Sequence, residues 1–289
     1  MNKFIPLSVP NIKGNEIKYV TEALDSEWVS TGGAMIEKFE QEIANYVHSE
    51  GAVACQSGTA GLHLALHYLG ISENDAVIVP ALTFIAAVNP VKYEKANPIF
   101  IDCDDSLCID PIKLEEFLKN ECYCENGVIR ENKSNKAIKA IIVVHVFGNM
   151  ADMESIIEIA DAYDLPVIED ATEALGTYYT EGKYKGKFAG TIGLIGVYSF
   201  NGNKIITTGG GGMIVSQNKQ ILNKIKYLST QAKDDPTNFI HNEIGYNYRM
   251  TNLQAAVGVA QLERIEEFIQ TKMNNYLYYR KSCRFPIMG

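Results

Sequence analysis

Short runs of apolar, mostly β-branched residues recur along this chain, separated by longer stretches in which apolar positions return every three or four residues. The runs at 52–55, 76–79, 99–102, 140–146, 166–170, 195–200 and 213–215 read as strands. The stretches at 34–47, 58–69, 84–93, 111–119, 152–163 and 218–227 read as helices, and 251–279 reads as one long helix. Asp110 followed by Pro111 marks one helix start, because the carboxylate caps free N–H groups and proline suits the first helical position. This alternation predicts an α/β fold, a mostly parallel seven-stranded sheet covered by helices on both faces. The polar, weakly patterned stretch 121–139 predicts a surface loop or an additional hairpin.

Ligands on such a sheet belong at the carboxyl ends of the strands, and the reactive residue types fall there. The run 195–198 leads into Ser199-Phe200-Asn201-Gly202-Asn203-Lys204, followed by Thr207-Thr208 and the glycines Gly209 to Gly212. A lysine held where a buried strand runs out into glycine-rich backbone can meet a carbonyl compound and form a Schiff base. Pro166-Val167-Ile168-Glu169-Asp170 is a second apolar run ending in carboxylates. A carboxylate there can keep a pyridine nitrogen protonated, which makes the ring an electron sink. Lys204 and Asp170 together point to pyridoxal 5'-phosphate.

After the first strand, Ser57-Gly58-Thr59 opens a helix, so close backbone approach and free first-turn N–H groups make Gly58 and Thr59 phosphate candidates. An ordinary strand-to-helix turn would look the same in isolation; the company of Asp170 and Lys204 favours the phosphate. Phe84, beyond the second strand, is placed either to lie against a flat ring or to pack in the core.

Composition narrows the alternatives. A chain of 289 residues, 46% hydrophobic and 21% charged, suits a soluble protein with one large core or two domains. Its net charge of -9 disfavours unaided binding to nucleic acid or an anionic membrane surface. No stretch reaches the roughly 18 apolar residues of a membrane helix, and the first residues, Met1 to Pro6, lack a secretory apolar segment, so a cytoplasmic protein is expected. The six cysteines, Cys55, Cys103, Cys108, Cys122, Cys124 and Cys283, lack C-x-x-C spacing, which favours free thiols over a metal at Cys122-Tyr123-Cys124. His63 and His67 share one helix face, as metal ligands would, but Leu64 stands where the zinc-protease pattern needs glutamate. Core or subunit-contact histidines are the favoured reading, and no metal is expected. The glycines at 209–212 lead into a strand rather than a helix, which disfavours a dinucleotide fingerprint.

Taken in order, Ser57-Gly58-Thr59, Thr83-Phe84, Glu169-Asp170-Ala171, Ser199-Phe200-x-x-x-Lys204 and Gly245-Tyr246-Asn247-Tyr248-Arg249-Met250-Thr251-Asn252 form a longer pattern. Over nearly the whole chain it resembles the DegT/StrS family of nucleotide-sugar aminotransferases. Within that family the chain is most similar to the branch making amino sugars for legionaminic acid or bacillosamine. The resemblance implies a PLP-dependent transferase fold of the aspartate aminotransferase type, with a large cofactor domain at 1–250 and the start of a smaller C-terminal domain at 251–289. It implies that Lys204 holds the cofactor, Asp170 contacts the pyridine nitrogen, Phe84 stacks on the ring, and Ser57, Gly58, Thr59 and Ser199 hold the phosphate. Glu173 stands where many relatives carry glutamine near the ring hydroxyl, so that contact must differ or use a protonated carboxyl. A homodimer with a shared active site is implied, Asn247 reaching the phosphate of the other subunit. Trp28, Ser30 and Thr31, in a loop that could also be a plain turn before the helix at 34, are implied to meet the sugar nucleotide, together with Tyr246 and Arg249.

The implied reaction moves an amino group from glutamate to a nucleotide-linked 4-keto-6-deoxy-N-acetylhexosamine, for bacterial surface glycan or nonulosonic acid synthesis. Lysine rather than histidine at 204 favours transamination over dehydration. Its free amine would carry the proton, which requires a pKa below the ordinary ~10.4, lowered by desolvation and a neighbouring cation. The family continues into a smaller domain where this sequence stops, so a shortened chain with looser cofactor binding and poor turnover is expected. The rival expectations are a catalytically idle cofactor-binding or regulatory protein of the same fold, and an α/β binding module without cofactor.

Overall fold

The computed structural model describes residues 4, 6, 8–235 and 237–282. The expectations that rest on the first residues and on Cys283 to Gly289 lie partly or wholly outside the described residues. Two helices open the chain, α1 (Glu16–Asp25) and α2 (Ala34–Val47). Strand and helix then alternate through β1 (Gly51–Cys55), α3 (Gly58–Tyr68), β2 (Asp75–Pro80), α4 (Asn89–Tyr93), β3 (Asn97–Ile101) and α5 (Pro111–Asn120). A hairpin of β4 (Cys122–Glu125) and β5 (Val128–Glu131) precedes β6 (Ala137–Val144), α6 (Met153–Ala162), β7 (Val167–Asp170) and β8 (Ile195–Ser199). The sequence closes with β9 (Gly212–Ser216), α7 (Lys219–Ser229), α8 (Asn252–Leu262) and α9 (Ile265–Ser282).

The main path of the sheet runs β1-β9-β8-β7-β6-β2-β3, with β5 of the hairpin joined to β6. Pairs from β8 through β7, β6 and β2 to β3 are parallel, whereas β9 is antiparallel to both β1 and β8. The expected mostly parallel, seven-stranded arrangement is therefore present along the main path, and the stretch 121–139 supplies the additional hairpin.

Strand alternation sends side chains to two cores. Val53, Cys55, Val197 and Ile214 face the side covered by α3 and α7, while Ala54, Tyr198, Met213 and Val215 face α2 and α8. Phe39 of α2 meets Phe200 with ring centroids 5.0 Å apart, and both are fully buried. Burying each such ring contributes about 1.5–3 kcal/mol. The cap at Asp110 forms as expected, its carboxylate accepting from the N–H groups of Ile112 and Lys113.

Two helix expectations need correction. The stretch 84–93 is a short 3-10 turn at Ile85–Ala87 and then α4, because Phe84 is extended (ψ 137°) and Pro90 cannot continue an earlier helix. The long helix at 251–279 is broken between α8 and α9 at Glu263 and Arg264. The break lets α8 lie against α1 and α2, where Ala255, Val259 and Leu262 are buried, while α9 keeps Ile265, Phe268 and Ile269 on that core and leaves it beyond them. The sequence pattern did not predict α1. Its buried Glu16 accepts from Gln261 Nε2 at 2.6 Å and so ties α1 to α8.

Candidate active site

Because β1 and β8 both run antiparallel to β9, the carboxyl ends of β1, β2, β6, β7 and β8 share one edge of the sheet, and β9 begins there. A cavity of about 500 Å³ opens at this edge. It is lined by Ser57, Gly58 and Thr59 after β1, Thr83 and Phe84 after β2, and Val146 and Phe147 after β6. Asp170, Thr172 and Glu173 at the end of β7, Ser199, Asn201, Asn203 and Lys204 after β8, and Gly210 and Gly211 before β9 also line it. The topology thus brings Lys204, Asp170, Ser57, Gly58, Thr59, Phe84, Glu173 and Ser199 to one place from positions up to 147 residues apart (57 to 204).

Asp170 is 4% exposed and makes no ion pair among the described residues. Burial pushes its carboxyl above the usual range, opposed by the Thr172 N–H, 3.1 Å away, and by the charges of Lys204 and His145. A buried carboxylate in this state favours a cationic group brought into the cavity. The amine of Lys204 donates to Glu173 Oε1 at 3.1 Å, and Glu173 Oε2 accepts from the N–H of Phe147 at 3.0 Å. The expected neighbouring cation is thus replaced by a carboxylate: the charged group in contact with Lys204 is Glu173.

The turn after β1 is shaped for close approach. Ser57 caps α3 by accepting from the Ala60 N–H, while the N–H groups of Gly58 and Thr59 find no acceptor among the described residues. A Cβ on Gly58 would stand 2.8 Å from Thr172 Cγ2 and 3.2 Å from Ser199 Cβ, so glycine keeps that cradle open. Free N–H groups at a helix start, a lysine amine, a buried carboxylate and an adjacent aromatic face fit the phosphate, aldehyde, ring nitrogen and ring of pyridoxal phosphate. Phe84 is 77% exposed, so its ring lies open at the mouth and not in the core.

His145, buried close to the cavity, and Phe147, in its wall, escaped the sequence reading. His145 follows β6; its Nδ1 accepts from the Ala151 N–H at 3.2 Å, which leaves hydrogen on Nε2 for Glu169 at 2.9 Å. Fully buried Glu169 also accepts from the N–H groups of Gly190 and Ile192 at 2.8 and 2.7 Å, so it anchors the loop before β8 next to Asp170. Phe147 adopts φ 55°, an uncommon conformation for a bulky residue, and so presents both its ring and its N–H to the cavity. A signal was present, since His145-Val146-Phe147-Gly148 ends a strand at the same edge as the residues already singled out.

The other candidates lie elsewhere in this chain. Trp28, Ser30, Thr31, Tyr246, Asn247 and Arg249 do not line the cavity of their own chain. Asn252 at the start of α8 holds the first loop, donating to the carbonyls of Trp28 and Ser30 at 2.7 and 2.6 Å. Next to it, Gln254 Nε2 donates to the Gly210 carbonyl at the cavity rim. Tyr246 packs against His63 and His67 on the outer part of α3, and Arg249 pairs with Cys55 just before the Ser57 turn. His63 and His67 meet Glu94 in ion-pair contact, and among the described residues no group of three or more His, Cys, Asp or Glu side chains is arranged to hold a metal ion. Within the same bounds, no helix is long and apolar enough to cross a membrane.

Comparison with known proteins bears directly on this geometry. EpsN of Bacillus subtilis (strain 168), named as a pyridoxal phosphate-dependent aminotransferase, is 42% identical over 284 residues, covering 98% of this chain and 69% of its own. GDP-perosamine synthase of Escherichia coli O157:H7 is 44% identical over 280 residues, covering 97% of this chain and 71% of its own. The solved structure of Helicobacter pylori PseC, an aminotransferase involved in pseudoaminic acid biosynthesis, superposes with a TM-score of 0.83. It is 26% identical and covers 96% of this chain and 70% of its own. The family model of DegT/DnrJ/EryC1/StrS aminotransferases matches residues 10–284, and the chain accordingly belongs to that family and is a pyridoxal phosphate-dependent aminotransferase.

Proposed function

We propose that this aminotransferase moves the amino group of glutamate onto the keto carbon of a nucleotide-linked 4-keto-6-deoxyhexose, N-acetylated as in the branch its motifs resemble. The observation that carries the reading is that Lys204 and Asp170 line one cavity, from the ends of adjacent strands β8 and β7. When bound there, pyridoxal phosphate supplies an aldehyde that condenses with amines and a ring that accepts electrons.

The chain's own residues supply the rest. Gly58, Thr59, Ser57 and Ser199 bind the phosphate, and Asp170 holds a proton at the ring nitrogen. Phe84 covers one ring face and excludes water. Lys204, once free, moves the proton at the substrate carbon, and Glu173 orients its amine and fixes Phe147. Asn247 serves the neighbouring subunit, which makes a homodimer part of the proposal, while Trp28, Ser30, Thr31, Tyr246 and Arg249 are assigned to the sugar-nucleotide side of the assembled pair. A cytoplasmic setting and a boundary near residue 250, with 251–289 beginning a smaller domain, belong to the same reading.

A second substrate reading, a GDP-linked sugar without the N-acetyl group, is favoured by the 44% identity to a GDP-perosamine synthase. Incubating the loaded protein with glutamate and a panel of UDP- and GDP-linked 4-keto-6-deoxy sugars decides between them. One carrier should give an amino sugar and 2-oxoglutarate in equal amounts, identified by mass spectrometry. A protein that never exchanges its amine with glutamate would instead be the idle cofactor-binding form.

The phosphate assignment has its own check. A Gly58→Ala methyl must displace Thr172 or Ser199, an overpacking cost of about 1–3 kcal/mol. Pyridoxal phosphate should then bind about tenfold more weakly to the cofactor-free chain, read by absorbance titration, which corresponds to ~1.4 kcal/mol. Unchanged affinity would remove the Ser57 turn from the site.

A further inference from the structure

Outside the cavity, α3 carries a polar cluster that the reaction does not use. His63 Nε2 and His67 Nδ1 lie 3.1 and 2.9 Å from the same oxygen, Oε1 of Glu94, at the end of α4. Across from Glu94, the Tyr248 hydroxyl is 3.2 Å from His63 Nδ1 and the Tyr246 hydroxyl 3.3 Å from His67 Nδ1. The two tyrosine rings stack on each other at 4.9 Å, and Tyr93 closes the cluster edge-on to His63. Tyr246 and Tyr248 have Asn247 between them.

The backbone there is extended and pinned on both sides. Tyr246 and Tyr248 donate their N–H groups to the carbonyls of Leu228 and Ser229, and the Gln56 N–H donates to the Tyr248 carbonyl at 2.8 Å. Alternate residues of an extended segment point opposite ways. With both tyrosines held toward α3, Asn247 and Arg249 belong to the other face, and Asn247 is exposed.

We propose that His63, His67 and Glu94 are positioning residues: they clamp Tyr246 and Tyr248 and thereby set the face and register from which Asn247 reaches a second copy of this chain. This rests on the shared-site reading above. The clamp shares α3 with Gly58 and Thr59, so one helix sets the phosphate turn of its own subunit and the segment offered to the other.

The charges around the clamp give it a pH window. His67 faces Glu94 and Tyr246, with the Lys224–Glu243 pair nearby; its pKa is raised, chiefly by the hydrogen bond to Glu94, against desolvation. Burial works against the Glu94 charge, yet the hydrogen bonds of both histidines hold its carboxyl down at about 2. His63 faces Glu94, Tyr93, Tyr246 and Tyr248. The Glu94 contribution is complete above its ordinary 4.5 and lost as pH falls toward 2. That of His67 is complete below its ordinary 6.5 and lost as pH rises through the raised folded value.

The test is a double-mutant cycle read as pyridoxal phosphate affinity of the cofactor-free protein. Glu94→Gln and Asn247→Ala should each weaken binding about tenfold, and the double variant no more than Asn247→Ala alone, because the clamp acts through Asn247. The Glu94→Gln deficit should be greatest between pH 4.5 and 6.5 and shrink above it. Tyr248→Phe, which deletes one hydroxyl, serves if Glu94→Gln fails to fold. Normal affinity in the folded clamp variants, or losses that simply add, would overturn the clamp while Asn247→Ala still weakens binding. An Asn247→Ala protein of full affinity would instead overturn the shared-site reading beneath it.

Discussion

Lys204→Ala should lower the rate of transamination by about three orders of magnitude or more while the chain stays folded, because a positioned proton carrier contributes about 10²–10⁴-fold and here the same amine also anchors the cofactor. The stability side of the prediction is small. The Lys204–Glu173 pair is partly exposed, with side chains 16% and 35% accessible, and such pairs contribute at most about 1 kcal/mol. The two effects therefore separate cleanly: amine exchange with glutamate, followed by absorbance, should all but stop, and the thermal midpoint should move little. Activity within tenfold of the unaltered protein would show that another group moves the proton.

Asp170→Asn should cost about 10²–10³-fold in rate, the scale of losing one preorganised charge in a water-poor site, and yet leave the cofactor-free protein as stable or more so. Burial raises the Asp170 pKa above its ordinary 3.8, so the folded chain binds this proton more tightly than the unfolded one. Stability then falls as pH rises through that interval, and once ionised the carboxylate is a net burden until a cation arrives. Asparagine removes the burden and keeps an oxygen for the Thr172 N–H. Thermal midpoints of the cofactor-free pair at pH 5 and pH 8 check this; a lowered midpoint with unchanged turnover would refute both halves.

Much of this arrangement was legible in the sequence because strand ends announce themselves. Where an apolar run stops at Cys55, Asp170 or Ser199, the next residues must lie at one edge, and their chemistry could be read directly. What escaped was set by tertiary packing. His145 was absorbed into the run 140–146, although β6 stops at Val144 and His145 turns to meet Glu169. The helical spacing after Thr251 continues past Leu262, and the break appears only because α8 must lie across α1 and α2. The contacts Tyr246 makes within its own chain were not legible for a similar reason. No local signal tells which face of a short extended segment meets its own chain, and here His63 and His67 claim it.

The pairing of β1 with β9 also governs when the molecule can first become itself. Gly51 aligns with Ser216, 165 positions later (216 − 51), so a ribosome adding about 5–20 residues per second leaves the β1 edge without its neighbour for roughly 8–33 seconds. Throughout that interval a nascent chain exposes one sticky, unpaired border, and vitamin B6 capture must wait for the last strand. Cells producing this protein should therefore show it as a client of chaperones acting on emerging polypeptides.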